Sequence, residues 1–382
     1  MSTQTRSAIV GIGRTAFTRR SGRTPLALAA EAARAALADA GLGADVLDGM
    51  ICFHTNDSAT PLDVSWALGV DELEWSNAVF AGGNAVADVV RTAAAVVDAG
   101  ICRAVLVYRS LNGRSGPRYG TVEGPVRVGG EWQFSAPHGF MIPPQWIAMW
   151  ASAHQARYGS TCEDLGQIAV TQRAHAVANE HAVARDPLTL DEYMEGRWVN
   201  EPFRVYDCAY EVDGAVAVLI VASDLAADAA PPPVWIHGSA NSQSGAGWVQ
   251  WDDPTSMYSR VVAPRLWART GFGPQDMDLA CMYDCFTYTV MATMEDYGFC
   301  DKGAVGDYFA QGRATYGGDV VVNPHGGLLS EGYLHGLNHH YEAVLQLRGQ
   351  AGVRQVPDAR LALVTAGAGP YGGANVLGIE AP

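Results

Sequence analysis

Two stretches far apart in this chain share one pattern, and that repetition constrains the fold more than any other feature. LADAGLGADVLDGMICFH (Leu37 to His54) and WARTGFGPQDMDLACMYD (Trp267 to Asp284) each leave a helix through a glycine stop, Gly41 or Gly271. Each then passes an acidic residue, Asp48 or Asp278, and enters a strand. The equivalence pairs Phe53 with Tyr283 and His54 with Asp284. A glycine pair opening a helix follows in both (Gly82-Gly83, then Gly326-Gly327), and RAVLV from Arg103 is answered by RLALV from Arg360. Matches kept in one order mark a duplication. Two related α/β halves are therefore expected, residues 1–225 and 230–382, joined at the alanine- and proline-rich DLAADAAPPPV. Strands alternating with helices favour mixed or parallel sheets covered on both faces.

The first half carries extra material from about Arg109 to Tyr206. It opens with the glycine-rich RSLNGRSGPRYGTVEGPVRVGGEW and leads to helices expected at Gln145–Arg157 and Cys162–Asn179, the second capped by Ser160 with Glu163 three residues on. An insertion of this size on an α/β core usually shapes a substrate site. Its aromatic residues Trp132, Phe134, Phe140, Trp146 and Trp150 suit an apolar cleft, a dimer interface or a docking surface equally.

With 382 residues and 48% hydrophobic content the chain can bury a large core. A formal charge of −15 with no basic run argues against nucleic acid as a partner. No stretch is long and apolar enough to span a bilayer, and MSTQTRSAIVGIG lacks a secretory signal pattern. The seven cysteines show no CxxC pair and read as reduced thiols in a cytoplasmic protein. His339-His340 are adjacent, so on a helix they point apart, and no metal is expected.

The stretches YDCAYEVDGAVAVLIVAS, YDCFTYTV, NPHGGLLSEGYLHG and TAGAGPYGGANVLG, in this order, resemble the thiolase superfamily over nearly the whole chain. The resemblance implies a duplicated, five-layered α/β/α/β/α fold, a dimer, a loop domain formed by the insertion, and substrates that are acyl-CoA thioesters. It also implies losses. The nucleophilic cysteine of a thiolase falls on Phe80, three residues before Gly83, and the second reactive cysteine on Thr365. The family's histidine after Gly332 becomes Tyr333, and the asparagine or histidine before Asp284-Cys285-Phe286 becomes Tyr283. Gly326, Gly327, Gly367 and Gly369 would bring backbone N–H groups to the thioester.

These departures, with AIVGIGRTAF, RSGPRYG and YGFC, are similar to one branch, the steroid side-chain-cleaving aldolases, or lipid-transfer-protein-type thiolase homologues. The branch implies retro-aldol cleavage of a steroid β-hydroxyacyl-CoA into a ring ketone and acetyl- or propionyl-CoA. CoA enters only as part of the substrate, with no permanently bound cofactor. The implied assembly is a homodimer core with a small OB-fold and zinc-ribbon partner, giving a heterotetramer.

Phenylalanine cannot carry an acyl group, so no acyl-enzyme is expected. Tyr283 is assigned as base for the hydroxyl and Tyr333 as acid or enolate-side donor, with the reverse order open. A phenol with a reference pKa near 10 is ionised in only about one molecule in a thousand at neutral pH, so neighbours must lower it or the step must be concerted. Tyr333 is expected near a helix start, where unpaired N–H groups favour negative charge. His325, His335 and Asp284 are secondary candidates. Two other classes remain open: a thiolase-type CoA acyltransferase using Cys52, Cys102 or Cys285, and a non-catalytic acyl-CoA or sterol-binding subunit.

Overall fold

The computed structural model describes residues 7–119, 128–130 and 132–382. Its strands are β1 (Ser7–Arg14), β2 (Gly49–His54), β3 (Trp75–Phe80), β4 (Ala104–Asn112), β5 (Trp198–Asn200), β6 (Phe203–Arg204), β7 (Asp213–Ala222), β8 (Val234–Gln243), β9 (Leu279–Cys281), β10 (Val321–Val322), β11 (Leu361–Ala368) and β12 (Tyr371–Gly378). All but β5 and β6 form one sheet, ordered β10-β9-β11-β12-β8-β1-β7-β4-β2-β3. From the central β8–β1 joint outward, both directions show the same plan. β1, β7, β4, β2, β3 on one side correspond to β8, β12, β11, β9, β10 on the other. Pairing repeats too: β2 is parallel to β3 and β4 as β9 is to β10 and β11, while β7 and β12 run antiparallel to their neighbours. The sheet therefore carries the duplication that the sequence shows.

Strand alternation sorts side chains into separate cores. Ala8 and Val10 pack with Leu28, Ala32 and Ala36 of the outer helix Pro25–Ala40. Ile9, between them, faces the opposite core with Val86, Val90 and Val97 of helix Val86–Asp98. That core also holds Leu337 and Val344 of helix Leu337–Leu347 and strand residues from both halves, so these two helices are sandwiched between the halves. The remaining core lies under helices Ser259–Thr270 and Thr287–Asp296. Helix, sheet, shared helices, sheet, helix is the five-layered arrangement.

Gly41 (φ 69°) and Gly271 (φ 74°) end their helices in the left-handed conformation, as expected. The insertion helices span Pro143–Tyr158 and Cys162–Val177. The second is capped one residue later than expected, by Thr161 with Asp164. Ser160 instead bonds His154 Nδ1 at 2.8 Å, which takes its hydroxyl away from the helix end. The expected insertion start at Arg109 also shifts, because Arg109–Asn112 continue β4 and pair with Asp213–Val216. Part of the glycine-rich opening, residues 120–127 and 131, lies outside the described residues. Among the described residues no helix is long and apolar enough to cross a membrane.

Candidate active site

Tyr283 follows β9 in a loop that cannot hold its shape alone. Its backbone N–H donates to Thr365 Oγ1 on β11 (3.0 Å) and its carbonyl accepts from Thr289 Oγ1 (2.9 Å). Tyr333 lies between the short turn Gly327–Ser330 and helix Leu337–Leu347, with its N–H on the Tyr210 carbonyl at 2.7 Å. The two hydroxyls meet at 2.8 Å. Space for this comes from Gly83, where a Cβ would stand 1.9 Å from Tyr283 Oη. Tyr283 is buried, whereas Tyr333 keeps a partly exposed edge.

Burial pushes both phenols well above the ordinary tyrosine value. For Tyr283 the neighbouring Tyr333 adds to the rise. For Tyr333 the nearby Cys285 raises it further, while the Tyr283 hydroxyl and the Arg109 guanidinium work in the opposite direction. Tyr119 adds to the rise as well, so both phenols stay neutral at physiological pH, and Tyr333 differs only in having two neighbours that partly offset it. Tyr333 lies outside the helix, and the N–H groups of Leu328 and Leu329 in the preceding turn donate to Asp284 (2.9 and 3.1 Å).

That use of Asp284 corrects two expectations. Gly326 and Gly327 (φ 93° and 64°) make the turn and let Asp284 approach, since a Cβ on Gly327 would stand 2.0 Å from Asp284 Oδ2. The N–H groups of Leu328 and Leu329 therefore serve Asp284, and that of Gly326 the Asn323 carbonyl, rather than a thioester. Asp284 and His325 are bound into a buried network: His339 Nε2 lies 3.2 Å from Asp284, and His339 Nδ1 lies 3.1 Å from His325 Nε2. Burial holds His325 down at about 3, so it is neutral at physiological pH. Gly367 and Gly369 shape the β11–β12 turn, where a Cβ on Gly369 would stand 2.3 Å from the Trp248 ring. Phe80, at the outer end of β3, is 68% exposed and stands edge-on to His54 rather than to the tyrosines.

His335 does join the tyrosine pair, with its ring 4.9 Å from that of Tyr333. Behind it lies a cluster absent from the sequence reading. Arg109 Nε and Nη2 reach His335 Nδ1 at 3.2 and 3.1 Å. Arg109 Nη2 also pairs with Asp57 Oδ2 at 2.7 Å, and the Arg109 side chain is fully buried. Asp57 accepts a further hydrogen bond from the Tyr119 hydroxyl, and Thr55 N–H binds its other oxygen at 2.9 Å. One signal was available: an arginine inside the apolar run AVLVYRSLN, where an unpaired charge would be expensive.

Cys52, Cys102 and Cys285 are unpaired and buried, and burial raises all three thiols, Cys102 to about 12. Among the described residues no three His, Cys, Asp or Glu side chains converge as metal ligands. Insertion residues Trp132, Trp146 and Trp150 run with Trp248 in ring contacts of 6.1, 5.5 and 5.4 Å, ending against Gly369.

Comparison with known proteins follows the same lines. The family model described as thiolase C-terminal domain-like matches residues 240–377. A steroid side-chain-cleaving aldolase of Thermomonospora curvata is 38% identical, with 98% of each chain covered. A 17-hydroxy-3-oxo-4-pregnene-20-carboxyl-CoA lyase of Mycobacterium tuberculosis is 38% identical over 97% of this chain and 99% of that one. The solved structure described as "Ltp2-ChsH2(DUF35) aldolase" superposes with a TM-score of 0.91 at 37% identity, covering 98% of this chain and 97% of that one.

Proposed function

This chain belongs to the steroid side-chain-cleaving aldolases of the thiolase superfamily, and from that premise we infer that it is a carbon–carbon lyase cleaving a steroid β-hydroxyacyl-CoA by retro-aldol chemistry. A 17-hydroxy, 20-carboxyl-CoA side chain of the kind in the name of the Mycobacterium tuberculosis relative has its hydroxyl β to the thioester. Breaking the bond between those carbons leaves a ring ketone and propionyl-CoA. The hydroxyl loses its proton, the C–C pair moves into an enolate over the thioester, and the α-carbon then takes a proton. No bond to the enzyme forms, so no nucleophile is required.

The observation that carries this reading at the level of side chains is the pair of phenol oxygens 2.8 Å apart. We assign Tyr333 as the base, reversing the order expected from sequence. Its exposed edge can meet substrate, while Tyr283, more buried, donates to it and stabilises the charge it gains. The proton taken from the hydroxyl can return to the α-carbon through the same pair. The aromatic run from Trp132 to Trp248 supports a wall for a flat polycyclic substrate. Against an acyltransferase stand the buried thiols, whose raised pKa values disfavour the thiolate.

We also propose a homodimer, supported by the largely exposed edge strand β3, and a small OB-fold and zinc-ribbon partner, supported by the two-component description of the similar structure. The unpaired cysteines support a cytoplasmic site of action.

The deciding experiment is mass-spectrometric product analysis of the full chain with that partner, given a steroid β-hydroxyacyl-CoA and no free CoA. A ring ketone with propionyl-CoA, lost in Tyr333→Phe, is the expected result. Cleavage only when free CoA is added would make the protein a thiolase, and no cleavage under either condition would favour a binding subunit.

A further inference from the structure

Arg109 is a donor only, because a guanidinium has no acceptor and keeps its charge in proteins. Two of its nitrogens point at one atom, His335 Nδ1. That nitrogen must therefore present a lone pair. In a neutral imidazole the single proton then lies on Nε2. The ring is neutral because burial, and after it the adjacent guanidinium, both push its pKa down, outweighing the opposing effect of Asp57.

Arg109 in turn cannot turn away. Asp57 holds Nη2 at 2.7 Å and the Ser110 carbonyl holds Nη1 at 2.9 Å. Asp57 is itself fixed by Tyr119 and by the N–H and hydroxyl of Thr55. His335 takes a left-handed backbone (φ 56°), uncommon outside glycine, so the segment holds this ring in place at some conformational cost. Among the described residues no protein acceptor is bonded to Nε2. Gly82 is the neighbour on this edge, and even a Cβ there would stay 3.9 Å from Nε2. The ring also flanks Tyr333, the proposed base.

We propose that His335, as the neutral Nε2–H tautomer, donates a hydrogen bond to the thioester oxygen as it becomes an enolate oxygen, and that Arg109 and Asp57 are positioning residues that enforce that tautomer. The inference rests on the retro-aldolase reading above. When the C–C bond breaks, its electron pair passes through the α-carbon to the thioester oxygen, and a fixed donor stabilises that charge more than it stabilises the ground state. A neutral imidazole suits the task. It donates without adding a second cation beside Arg109, and it does not hand over its proton prematurely.

The test uses the full chain with its partner. His335→Phe keeps a ring but removes the donor, whereas His335→Gln keeps a nitrogen donor near the Nε2 position. Both meet the same left-handed backbone, so the comparison between them cancels that strain. The expected result is a loss of about 100-fold or more in kcat for Phe, a KM within about threefold, and recovery of about tenfold or more with Gln. Asp57→Asn should lower kcat in the wild-type background and add little in the His335→Phe background, because positioning acts only through the histidine. In wild type, nitrogen NMR of labelled histidine should show Nδ1 as the unprotonated ring nitrogen and Nε2 as the protonated one at neutral pH. This reading needs no variant to fold.

A His335→Phe enzyme with near-normal kcat, or an Nδ1–H tautomer, would overturn the inference. If Tyr333→Phe abolishes cleavage in the same assay while His335→Phe does not, the retro-aldolase reading stands and this one falls. If wild type cleaves nothing, the functional reading falls, and the donor role with it, while the nitrogen spectrum still decides the tautomer.

Discussion

The two halves of the sheet bring equivalent strand ends to one centre and furnish them oppositely. After β9 stand Tyr283 and, across from it, Tyr333, a pair of phenols that burial keeps neutral. After β2 stands Asp57, and on β4 stands the fully buried Arg109, an ion pair beside the same residues. The same topology therefore supports proton transfer by weak acids on one side and a fixed charge framework on the other. Duplication leaves the second copy free to diverge at the strand ends while the apolar strands stay alike.

The sharpest way to break this comparison is to remove a hydroxyl from the phenol side. Tyr333→Phe is expected to lower kcat by about 10³-fold, within the range for removing an acid–base group, with little change in stability. Tyr283→Phe should cost less, because its phenol acts through Tyr333. If steady-state kinetics found the Tyr283 variant the poorer enzyme, the base assignment would revert to Tyr283.

The neutral state of the phenols also sets a pH dependence. A base whose pKa lies well above 10 has a phenolate fraction that grows about tenfold per pH unit throughout the neutral range. Cys285, Tyr119, Tyr283, His335 and Arg109 surround Tyr333. Of these, the four titrating groups whose pKa values burial has moved (Cys285, Tyr119, Tyr283 and His335) change charge outside that window. With chemistry limiting, log kcat should rise with a slope near one from about pH 6 to 9. A flat profile would show that no phenolate accumulates before the limiting step, and would point to concerted transfer.

Much of this was legible in the residues and part of it was not. The repeats in Leu37–His54 and Trp267–Asp284 carry the fold because a helix stop, a linker and a strand are local and patterned. Tyr283 and Tyr333 were visible as residues standing where a related pattern has others. The charge cluster was not, because Asp57 and His335 lie 52 and 226 residues from Arg109 along the chain and meet it only after folding. The reach of Asp284 to the N–H groups of Leu328 and Leu329 was hidden for the same reason. Glycines at 326 and 327 announce a turn, but which acceptor takes the turn's N–H groups is a tertiary fact.

On the charged side, stability is expected to report first. Asp57→Ala leaves the Arg109 guanidinium buried without its carboxylate, and breaking such a pair costs about 3–5 kcal/mol. Urea unfolding at pH 7 measures it. In wild type the sign with pH is set by the Asp57 carboxyl: burial pushes its pKa up, but Arg109 together with the hydrogen bonds from Tyr119 and Thr55 outweighs burial and holds it well below the ordinary value. A depressed carboxylate stabilises the fold above its unfolded pKa of about 4 and loses that contribution as pH falls toward the folded value. The difference between wild type and variant should therefore shrink only below about pH 4. A variant as stable as wild type at pH 7 would mean that another group, or water, replaces the carboxylate at Arg109.

The smallest expected effect is at Phe80, the strand end where the resemblance puts a thiolase's nucleophile. A cysteine there would be mostly solvent-exposed like the phenylalanine it replaces, with His54 beside it engaged through Nδ1 by the Asn56 N–H at 3.0 Å. Nothing at that position desolvates an acyl group or takes a proton from a thiol on the way to substrate. Phe80→Cys should therefore keep kcat for cleavage within about twofold, show no acyl adduct by intact-protein mass spectrometry, and gain no dependence on free CoA. An acyl adduct on the introduced thiol would mean that the substrate passes along β3, and that the first half of the sheet still contributes a reacting position as well as a charge framework.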